Sequence, residues 1–108
     1  MKCVMLYVTF ADQAAARALG RKLVEAHLAA CANVFSEMTP IFRWEGQIQE
    51  DSEAVMIAKT RAELVEEATS FIRQHHDYDC PCVVALSLEG GNSEFLSWIV
   101  QETKDPGA

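Results

Sequence analysis

The chain has 108 residues, half of them hydrophobic, so it is long and apolar enough to fold as one domain, residues 1–108, around one core. Its formal net charge is −7 at pH 7, which disfavours nucleic acid and anionic membrane surfaces as partners, because both attract basic proteins. No run of the sequence approaches the roughly 18 apolar residues that a membrane-spanning helix needs.

The first predicted element is a strand over residues 4–10, a nearly unbroken run of aliphatic, β-branched and aromatic side chains. Such a run is typical of a strand buried on both faces. It is short and lacks the small-residue cleavage site of a signal peptide, so we expect a cytoplasmic protein. That compartment predicts reduced thiols rather than disulfides for the four cysteines, Cys3, Cys31, Cys80 and Cys82.

A helix is predicted next, with Asp12 as its N-terminal cap. Its apolar stripe recurs at spacings of three and four and consists of Ala16, Leu19, Leu23 and Ala26. Gly20 lies inside this helix and costs about 1 kcal/mol relative to alanine. A glycine retained at that cost indicates close packing against a neighbouring element.

Residues 34–60 predict a long hairpin between the second and third strands of the sheet. Pro40 interrupts the first arm, which implies a bulge or an edge there. Glu45-Gly46 suits a two-residue turn because glycine accepts a positive φ, and residues 54–58 form a buried strand in the second arm. An arm of about a dozen residues spans ~40 Å, which exceeds the ~34 Å diameter of a compact domain of this length.

The tip of this hairpin carries apolar side chains that lie beyond the reach of its own core. Phe42, Trp44 and Ile48 are the candidate interface residues, because an apolar hairpin with open edges favours pairing with another chain. We therefore expect an obligate oligomer. The alternative is a strongly coiled hairpin that lies back on its own sheet, which Pro40 would permit.

The remaining pattern predicts a helix over residues 61–75, a strand over 82–88 and a third helix that Asn92 or Ser93 caps. The order strand, helix, strand, strand, helix, strand is the split βαβ arrangement. The predicted fold class is therefore α+β and ferredoxin-like, with an antiparallel sheet, helices on one face and an added C-terminal helix.

The segment HHDYDCPC, residues 75–82, concentrates groups that bind metal ions. Cys80 and Cys82 are two residues apart, so in an extended strand their side chains point to the same side, and a disulfide between them would close a small, strained ring. Thiolate and imidazole are ligands that copper and zinc prefer, so these cysteines and His76 are candidate ligands. The alternative is that both cysteines only begin a core strand, since cysteine is often buried as a small hydrophobe.

Motifs of common enzymes are absent from the sequence. It contains no glycine-rich phosphate loop, no Gly-x-Ser-x-Gly, no His-Glu-x-x-His and no Cys-x-x-Cys. Cys82 and His76 could pair as nucleophile and base, but no third group is evident to orient them. We predict no catalytic residue and no required cofactor, with copper or zinc as possible ligands.

Four motifs in order along the chain resemble those of the CutA (CutA1) divalent-cation tolerance proteins. They are LAACAN at 28–33, FRWEG at 42–46, KT at 59–60 and HDYDCP at 76–81. The resemblance covers nearly the whole chain, from the first strand to Trp98. It implies a ferredoxin-like fold, a tight homotrimer with hairpins that cross between subunits, and a role in tolerance of divalent cations, chiefly copper.

The resemblance also implies a candidate ligand pocket that combines Lys59, Tyr78, His76 and Cys82, with Trp44 contributed by a neighbouring chain. Lys59 could instead be a solvated strand end, and Tyr78 could only hydrogen-bond across an interface. Cys31 is a further candidate metal ligand, although its position at a helix-to-strand corner favours a place in the core. Family members usually have Glu where this chain has Cys82, and Pro where it has Asp77. A sulfur in place of an oxygen would favour Cu(I) or Zn over Mg or Ca.

Two functional hypotheses follow. The first is a non-catalytic homotrimer that binds a soft or borderline metal ion in metal tolerance. The second is a small-molecule sensor or protein scaffold like the PII signalling proteins, which the family's architecture resembles, with an unidentified protein partner and incidental metal binding. In that case Lys59 would bind an anionic or polar ligand. A redox switch at Cys80 and Cys82 is a third alternative.

Overall fold

The computed structural model describes residues 2–108 and shows an α+β fold built on one antiparallel sheet. The main sheet has the strand order β2-β5-β1-β6, and β3 and β4 form a separate two-stranded ribbon. This is the interleaved strand order of the split βαβ arrangement, so the predicted ferredoxin-like fold class is confirmed. The elements in chain order are β1 (Cys3–Phe10), α1 (Gln13–Glu25), β2 (Cys31–Met38), β3 (Ile41–Trp44), β4 (Gln47–Glu50), β5 (Glu53–Arg61), a 3-10 turn (Ala62–Leu64), α2 (Val65–His75), β6 (Val83–Ser87) and α3 (Ser93–Glu102).

The main core lies between one face of the sheet and the helices α1 and α2. The register pairs Leu6 with Ala58 and Val8 with Met56, and all four side chains are fully buried. The helical side of this core includes Ala16, Leu19, Leu23, Ala68 and Ile72. Each large aliphatic side chain buried here contributes roughly 1.5–3 kcal/mol relative to an exposed position, so this layer holds the two helices on the sheet.

Both local signals predicted in α1 are confirmed. The Asp12 carboxylate caps the helix by accepting a hydrogen bond from the Ala15 backbone N–H at 2.8 Å. Gly20 is buried against the sheet, where an added Cβ would lie 3.2 Å from both Ala32 Cβ and Met56 Sδ. The missing side chain therefore lets α1 approach β2 and β5 closely.

The opposite face of the sheet is covered only at one end, by α3. Cys3, Ala30 and Ile99 form a small second cluster there, so α1 and α2 share one face as expected, whereas α3 lies on the other. Arg61 is 5% exposed, and its guanidinium donates hydrogen bonds to backbone carbonyls of Val100 at 2.9 Å and Thr103 at 2.8 Å. A buried side chain of β5 thus ties down the C-terminal end of α3.

Much of the rest of that face, which we call the open face, is exposed in a single chain, although Val55 and Thr9 on it are buried. Its exposed apolar side chains are Phe35 at 53%, Val84 at 51% and Leu86 at 46% of their accessible area. Tyr7 lies opposite Val84 in the register. Large apolar side chains exposed at both edges of one sheet face are typical of an interaction surface.

The hairpin extends beyond the sheet but is not continuous. A register shift between Phe35 and Met38 and the interruption at Pro40 separate β2 from β3, as the proline predicted. The turn residues Glu45 and Gly46 have φ values of 50° and 79°, the double positive φ of a type I′ turn. The described chain measures 43 × 27 × 23 Å, and every residue of β3 and β4 is exposed, so the tip projects beyond the core.

The predicted boundaries of the second helix and last strand need correction. Arg61 is the end of β5 rather than the start of a helix, and α2 begins at Val65 after the 3-10 turn. The last strand begins at Val83, so Cys82 lies in the preceding loop rather than in the strand. Within residues 2–108, no helix has both the length and the hydropathy to cross a membrane.

Candidate functional site

The candidate site is centred on residues 76–82, which we call the cysteine loop, between the end of α2 and the start of β6. His76 ends α2 by adopting an extended backbone with φ −90° and ψ 144°. The loop then runs past the end of β1 and the start of β5, because β6 pairs beside β1 from Val83 onward. Its side chains are therefore brought to one end of the sheet, beside the base of the hairpin.

His76 is held by hydrogen bonds at both ring nitrogens. Nε2 lies 2.8 Å from the Thr9 carbonyl oxygen, and Nδ1 lies 3.0 Å from the Tyr78 backbone nitrogen. A carbonyl only accepts and a backbone N–H only donates, so the proton is on Nε2 and Nδ1 is the acceptor. The ring also stacks on Phe10, with centroids 4.6 Å apart and planes 15° apart. His76 therefore positions the cysteine loop in this structure.

This geometry bears directly on the predicted metal ligation by His76. A metal ion would bind a ring nitrogen lone pair, and the one lone pair of the neutral ring already accepts from the Tyr78 N–H. Ligation would require one of the two hydrogen bonds to break. The role of His76 as a metal ligand stays a prediction, and ligation would cost the free energy of one of these hydrogen bonds.

Tyr78 is fixed by a second contact across the loop. Its hydroxyl donates a 2.7 Å hydrogen bond to the Glu53 carboxylate at the start of β5. Desolvation, followed by this hydrogen bond and the negative charge of Glu53, raises the pKa of Tyr78 to about 12. The phenol therefore stays protonated at neutral pH and continues to donate to the carboxylate.

Cys80 and Cys82 are both free and exposed thiols. Desolvation raises the pKa of the Cys82 thiol, the negative charge of Glu53 raises it further, and a hydrogen bond with Thr9 acts in the opposite direction. The protonated form of Cys82 is therefore favoured, and a metal ion that binds it must displace a proton.

The two cysteines lie on the wall of a cleft of about 620 Å³ between the cysteine loop, β1 and the hairpin. Trp44 and Tyr78, which we predicted as pocket residues, line this same cleft. The full lining is Tyr7, Thr9, Met38, Pro40, Ile41, Phe42, Trp44, Asp51, Glu53, Tyr78, Cys80 and Cys82. Both cysteines thus border the same cleft, although from a loop rather than from the extended strand that the prediction assumed.

Lys59 does not line this cleft of the single chain, and its place in a pocket shared between chains stays a prediction. Its Nζ donates to the Asn33 side-chain oxygen at 2.6 Å and lies 4.0 Å from Cys31 Sγ. In the register Lys59 pairs with Met5, four residues or roughly 13 Å along β1 from Thr9. Within one chain, Lys59 and Cys31 form a separate group at the other end of the open face.

The predicted metal ligands are consequently divided among three places. Cys80 and Cys82 share the cleft, the His76 ring lies outside the cleft against Phe10 and the Thr9 carbonyl, and Cys31 lies beside Lys59. In the part of the chain that the structure describes, no three His, Cys, Asp or Glu side chains are grouped so that they could hold one metal ion. A four-ligand site from this set does not form within a single chain in this conformation.

The sequence patterns missed Glu53 and Asp51 as cleft residues. Glu53 accepts from Tyr78, 25 positions away in sequence. The sequence contains one indication for Glu53, which is a charged residue directly before the apolar run at 54–58. That position lies at the end of the sheet that the cysteine loop passes. Asp51 had no comparable signal.

Phe42, Trp44 and Ile48, the predicted interface residues, are exposed in the single chain at 39%, 60% and 65% of their accessible area. Phe42 and Trp44 also line the cleft, whereas Ile48 does not. Their role in an interface between subunits stays a prediction.

Comparison with known proteins gives consistent matches over nearly the whole chain. The family model described as CutA1 divalent ion tolerance protein matches residues 4–102. The chain is 37% identical over 101 residues to the divalent-cation tolerance protein CutA of Pyrococcus horikoshii, covering 94% of this chain and 98% of that protein. It is 36% identical over 102 residues to the chloroplastic protein CutA of Arabidopsis thaliana, covering 94% of this chain but only 56% of that protein. The chain thus spans little more than half the length of some of its relatives.

Solved structures agree with the sequence matches. The crystal structure of CutA1 from Oryza sativa superposes with a TM-score of 0.94 at 33% identity and covers 97% of this chain and 96% of that one. The structure of a CutA from Archaeoglobus fulgidus, described as periplasmic, superposes with a TM-score of 0.90 at 35% identity, covering 94% and 99% of the two chains.

Proposed function

Because the chain belongs to the CutA1 family of divalent ion tolerance proteins, we propose that it is a non-catalytic, cytoplasmic homotrimer that binds copper in response to metal ions. Zinc is the second candidate ion. Cys80 and Cys82 are the proposed ligands, and the cleft beside them is the proposed route of access.

The observation that carries this proposal is the pair of free thiols on one wall of the cleft. Thiolates select Cu(I) and zinc over hard ions such as magnesium or calcium. Pro81 between the cysteines restricts the backbone torsion angles of this segment. This restriction favours a conformation in which both sulfur atoms stay on the same side of the loop. Two thiolates are enough to bind Cu(I) at low coordination number, whereas zinc usually takes four ligands. Among residues 2–108 no three candidate ligand side chains are grouped, and this favours copper over zinc.

The homotrimer is supported by apolar surface that a single chain leaves in water. The open face exposes Phe35, Val84 and Leu86, and the hairpin tip exposes Trp44 and Ile48. Covering these surfaces with sister chains would remove them from water, the main driving force of obligate association.

Competition with a chromophoric Cu(I) chelator under anaerobic conditions tests the metal proposal. The double variant Cys80→Ser/Cys82→Ser is expected to lose at least about a hundredfold in Cu(I) affinity, because hydroxyl oxygen is a poor ligand for a soft ion. The matched control is Cys31→Ser, which alters a thiol outside the cleft and is expected to retain the affinity. Equal Cu(I) affinity in the wild type and the double variant would remove these thiols from the proposal.

A second candidate function is a small-molecule sensor or scaffold of the PII type, with output through an unidentified protein partner. The cleft of about 620 Å³ favours it, since its volume lies within the range of small-molecule sites. Lys59 lies outside the cleft, so it would not serve as the anion-binding group there. A thermal-shift screen with metal ions and metabolites separates the candidates: stabilisation by metabolites but not by copper supports the sensor.

A further inference from the structure

We propose that the groove between α1 and β2, at one edge of the sheet, binds a small organic phosphate monoester, with Arg17 and Arg21 as the phosphate-binding groups. This groove, which we call the α1 groove, is separate from the cleft beside the cysteine loop and uses neither of its thiols. Such a site therefore goes beyond metal binding, and it gives the sensor alternative a cationic site that does not depend on Lys59.

The α1 groove lies on the side of the sheet opposite the open face. Side chains of α1 line one wall, and Ala32 and Val34 of β2 line the other. Successive side chains of a strand point to opposite faces, so Ala32 and Val34 point away from the open face, which carries Phe35. None of the described hairpin residues 41–50 lines the groove. Sister chains that cover the open face and the hairpin tip therefore do not cover the groove through those contacts.

The charge of α1 is opposite in sign to that of the whole chain. The formal net charge of the protein is −7, yet residues 13–24 contain three basic side chains, Arg17, Arg21 and Lys22, and no acidic one. Basic side chains concentrated on one helix attract an anion by a Coulomb interaction, which is strongest at low ionic strength. This helix is therefore a place where an acidic protein can bind an anionic ligand.

The two arginines have the spacing to bind one phosphate group together. Positions i and i+4 of a helix place their Cβ atoms about 6 Å apart on one face. Across residues 2–108, neither Arg17 nor Arg21 has a carboxylate within ion-pair distance or a side-chain hydrogen bond. Glu25 also lines the groove, but it lies one turn beyond Arg21 and two turns beyond Arg17. Guanidinium groups bind phosphate oxygens through paired N–H donors, so both arginines are available to a phosphate placed between them.

The groove also has the volume and the apolar wall that the organic part of a ligand requires. It measures about 390 Å³, which lies within the range of small-molecule sites. Val24 is 37% exposed although it is apolar, and it faces Ala32 and Val34 across the groove. Gly20 lines the same groove, and its missing side chain leaves room for a ligand beside the helix. An apolar group bound there would remove these side chains from water.

A phosphate monoester matches both parts of the groove better than other ions do. A metal cation would be repelled by the two arginines, and a single carboxylate would carry only one negative charge to them. A phosphate monoester carries nearly two negative charges at neutral pH and offers three acceptor oxygens. Inorganic phosphate would satisfy the arginines but would leave the apolar wall in water. The structure therefore favours a ligand that joins a phosphate to an apolar body.

Phenyl phosphate is the probe, with inorganic phosphate and benzyl alcohol as controls that each keep one half of it. Binding to the intact, assembled protein is followed by NMR titration at neutral pH and constant low ionic strength, since added salt screens the arginines. Phenyl phosphate is expected to saturate the protein with an affinity at least about tenfold above that of either control, and to shift amide signals of residues 17–25 and 32–34. Equal affinity for phenyl phosphate and inorganic phosphate, no saturation, or shifts confined to other residues would overturn the proposal.

Variants assign the binding to the two arginines. Arg17→Gln/Arg21→Gln removes both charges from exposed positions and keeps residues that favour a helix, so the affinity for phenyl phosphate is expected to fall at least about tenfold. Arg73→Gln, at an exposed arginine of α2 outside the groove, is the matched control and is expected to bind like the wild type. Sedimentation velocity checks that both variants keep the assembly of the wild type. An affinity unchanged in the double arginine variant would contradict the assignment.

A reciprocal measurement separates this site from the metal proposal. Cys80→Ser/Cys82→Ser is expected to bind phenyl phosphate like the wild type, and Arg17→Gln/Arg21→Gln is expected to keep the Cu(I) affinity of the wild type. A cysteine variant that loses phenyl phosphate binding would contradict two separate sites. A wild-type protein that binds Cu(I) but not phenyl phosphate would overturn the phosphate site alone.

Discussion

At the scale of single residues, the neighbours of His76 and Cys82 decide the chemistry of the cysteine loop. The sequence shows an imidazole close to two thiols, and a shared metal site is a reasonable expectation from that pattern. The backbone carbonyl of Thr9, 67 positions away in sequence, instead accepts from the ring at 2.8 Å. Such a partner follows from sheet register, which no local motif encodes, so the ligand role of His76 could not be judged from sequence.

Glu53 is expected to control the reactivity of Cys82. Its negative charge contributes to the raised pKa of that thiol, so Glu53→Gln is expected to lower the pKa and increase the thiolate fraction at any given pH. In a Cys80→Ser background, the midpoint of the pH dependence of Cys82 alkylation is therefore expected to move to lower pH. The same linkage predicts that metal affinity rises with pH until the thiol is fully deprotonated.

The control for the alkylation experiment is a second charge-removing variant in the same Cys80→Ser protein. Glu63→Gln removes an equal charge from a position that does not act on Cys82, and its midpoint is expected to match that of the parent. A midpoint that stays fixed or moves to higher pH in Glu53→Gln would show that Glu53 does not set the proton affinity of this thiol.

At the scale of elements, Arg61 shows why the boundary between β5 and α2 was predicted incorrectly. A charged residue followed by helix-forming residues is typical of a helix start, and Arg61 was placed there. In the structure its guanidinium is buried and bound to Thr103 and Val100, some 40 positions later. Binding of this buried cation to carbonyl oxygens at the C-terminal end of α3 outweighs the local preference for a helix start, since a positive charge is stabilised at the C-terminus of a helix.

Arg61→Met is expected to destabilise the protein by roughly 2–4 kcal/mol, because it removes the charge-assisted hydrogen bonds from the buried guanidinium to Val100 and Thr103. The loss is expected to concentrate in α3, and faster amide hydrogen exchange over residues 93–102 is the measurement. Arg73→Met, which changes an exposed arginine of α2, serves as the control. Unchanged protection of α3 in Arg61→Met would refute this role.

At the scale of the whole molecule, the fold could be predicted from the sequence, whereas the arrangement of the site residues could be predicted only in part. The spacing of apolar residues along the chain reflects which side chains are buried, so the order of strands and helices could be predicted. The close packing at Gly20 could be predicted because glycine is unfavourable inside a helix. The projection of the hairpin followed from arm length, and the structure adds the break at Pro40. Separation of Lys59 from Tyr78 could not be foreseen, because it depends on pairing Lys59 with Met5 rather than with a residue near Thr9.

The central claim, that this protein acts as a homotrimer, is tested most directly by sedimentation velocity at micromolar concentration. The wild type is expected to sediment as three chains. The variant Val84→Glu/Leu86→Glu, which charges the open face, is expected to dissociate, because burying unpaired carboxylates is costly. The control Val24→Glu changes a comparably exposed apolar residue of α1 and should remain trimeric. A wild-type protein that sediments as a stable, soluble monomer would contradict the claim.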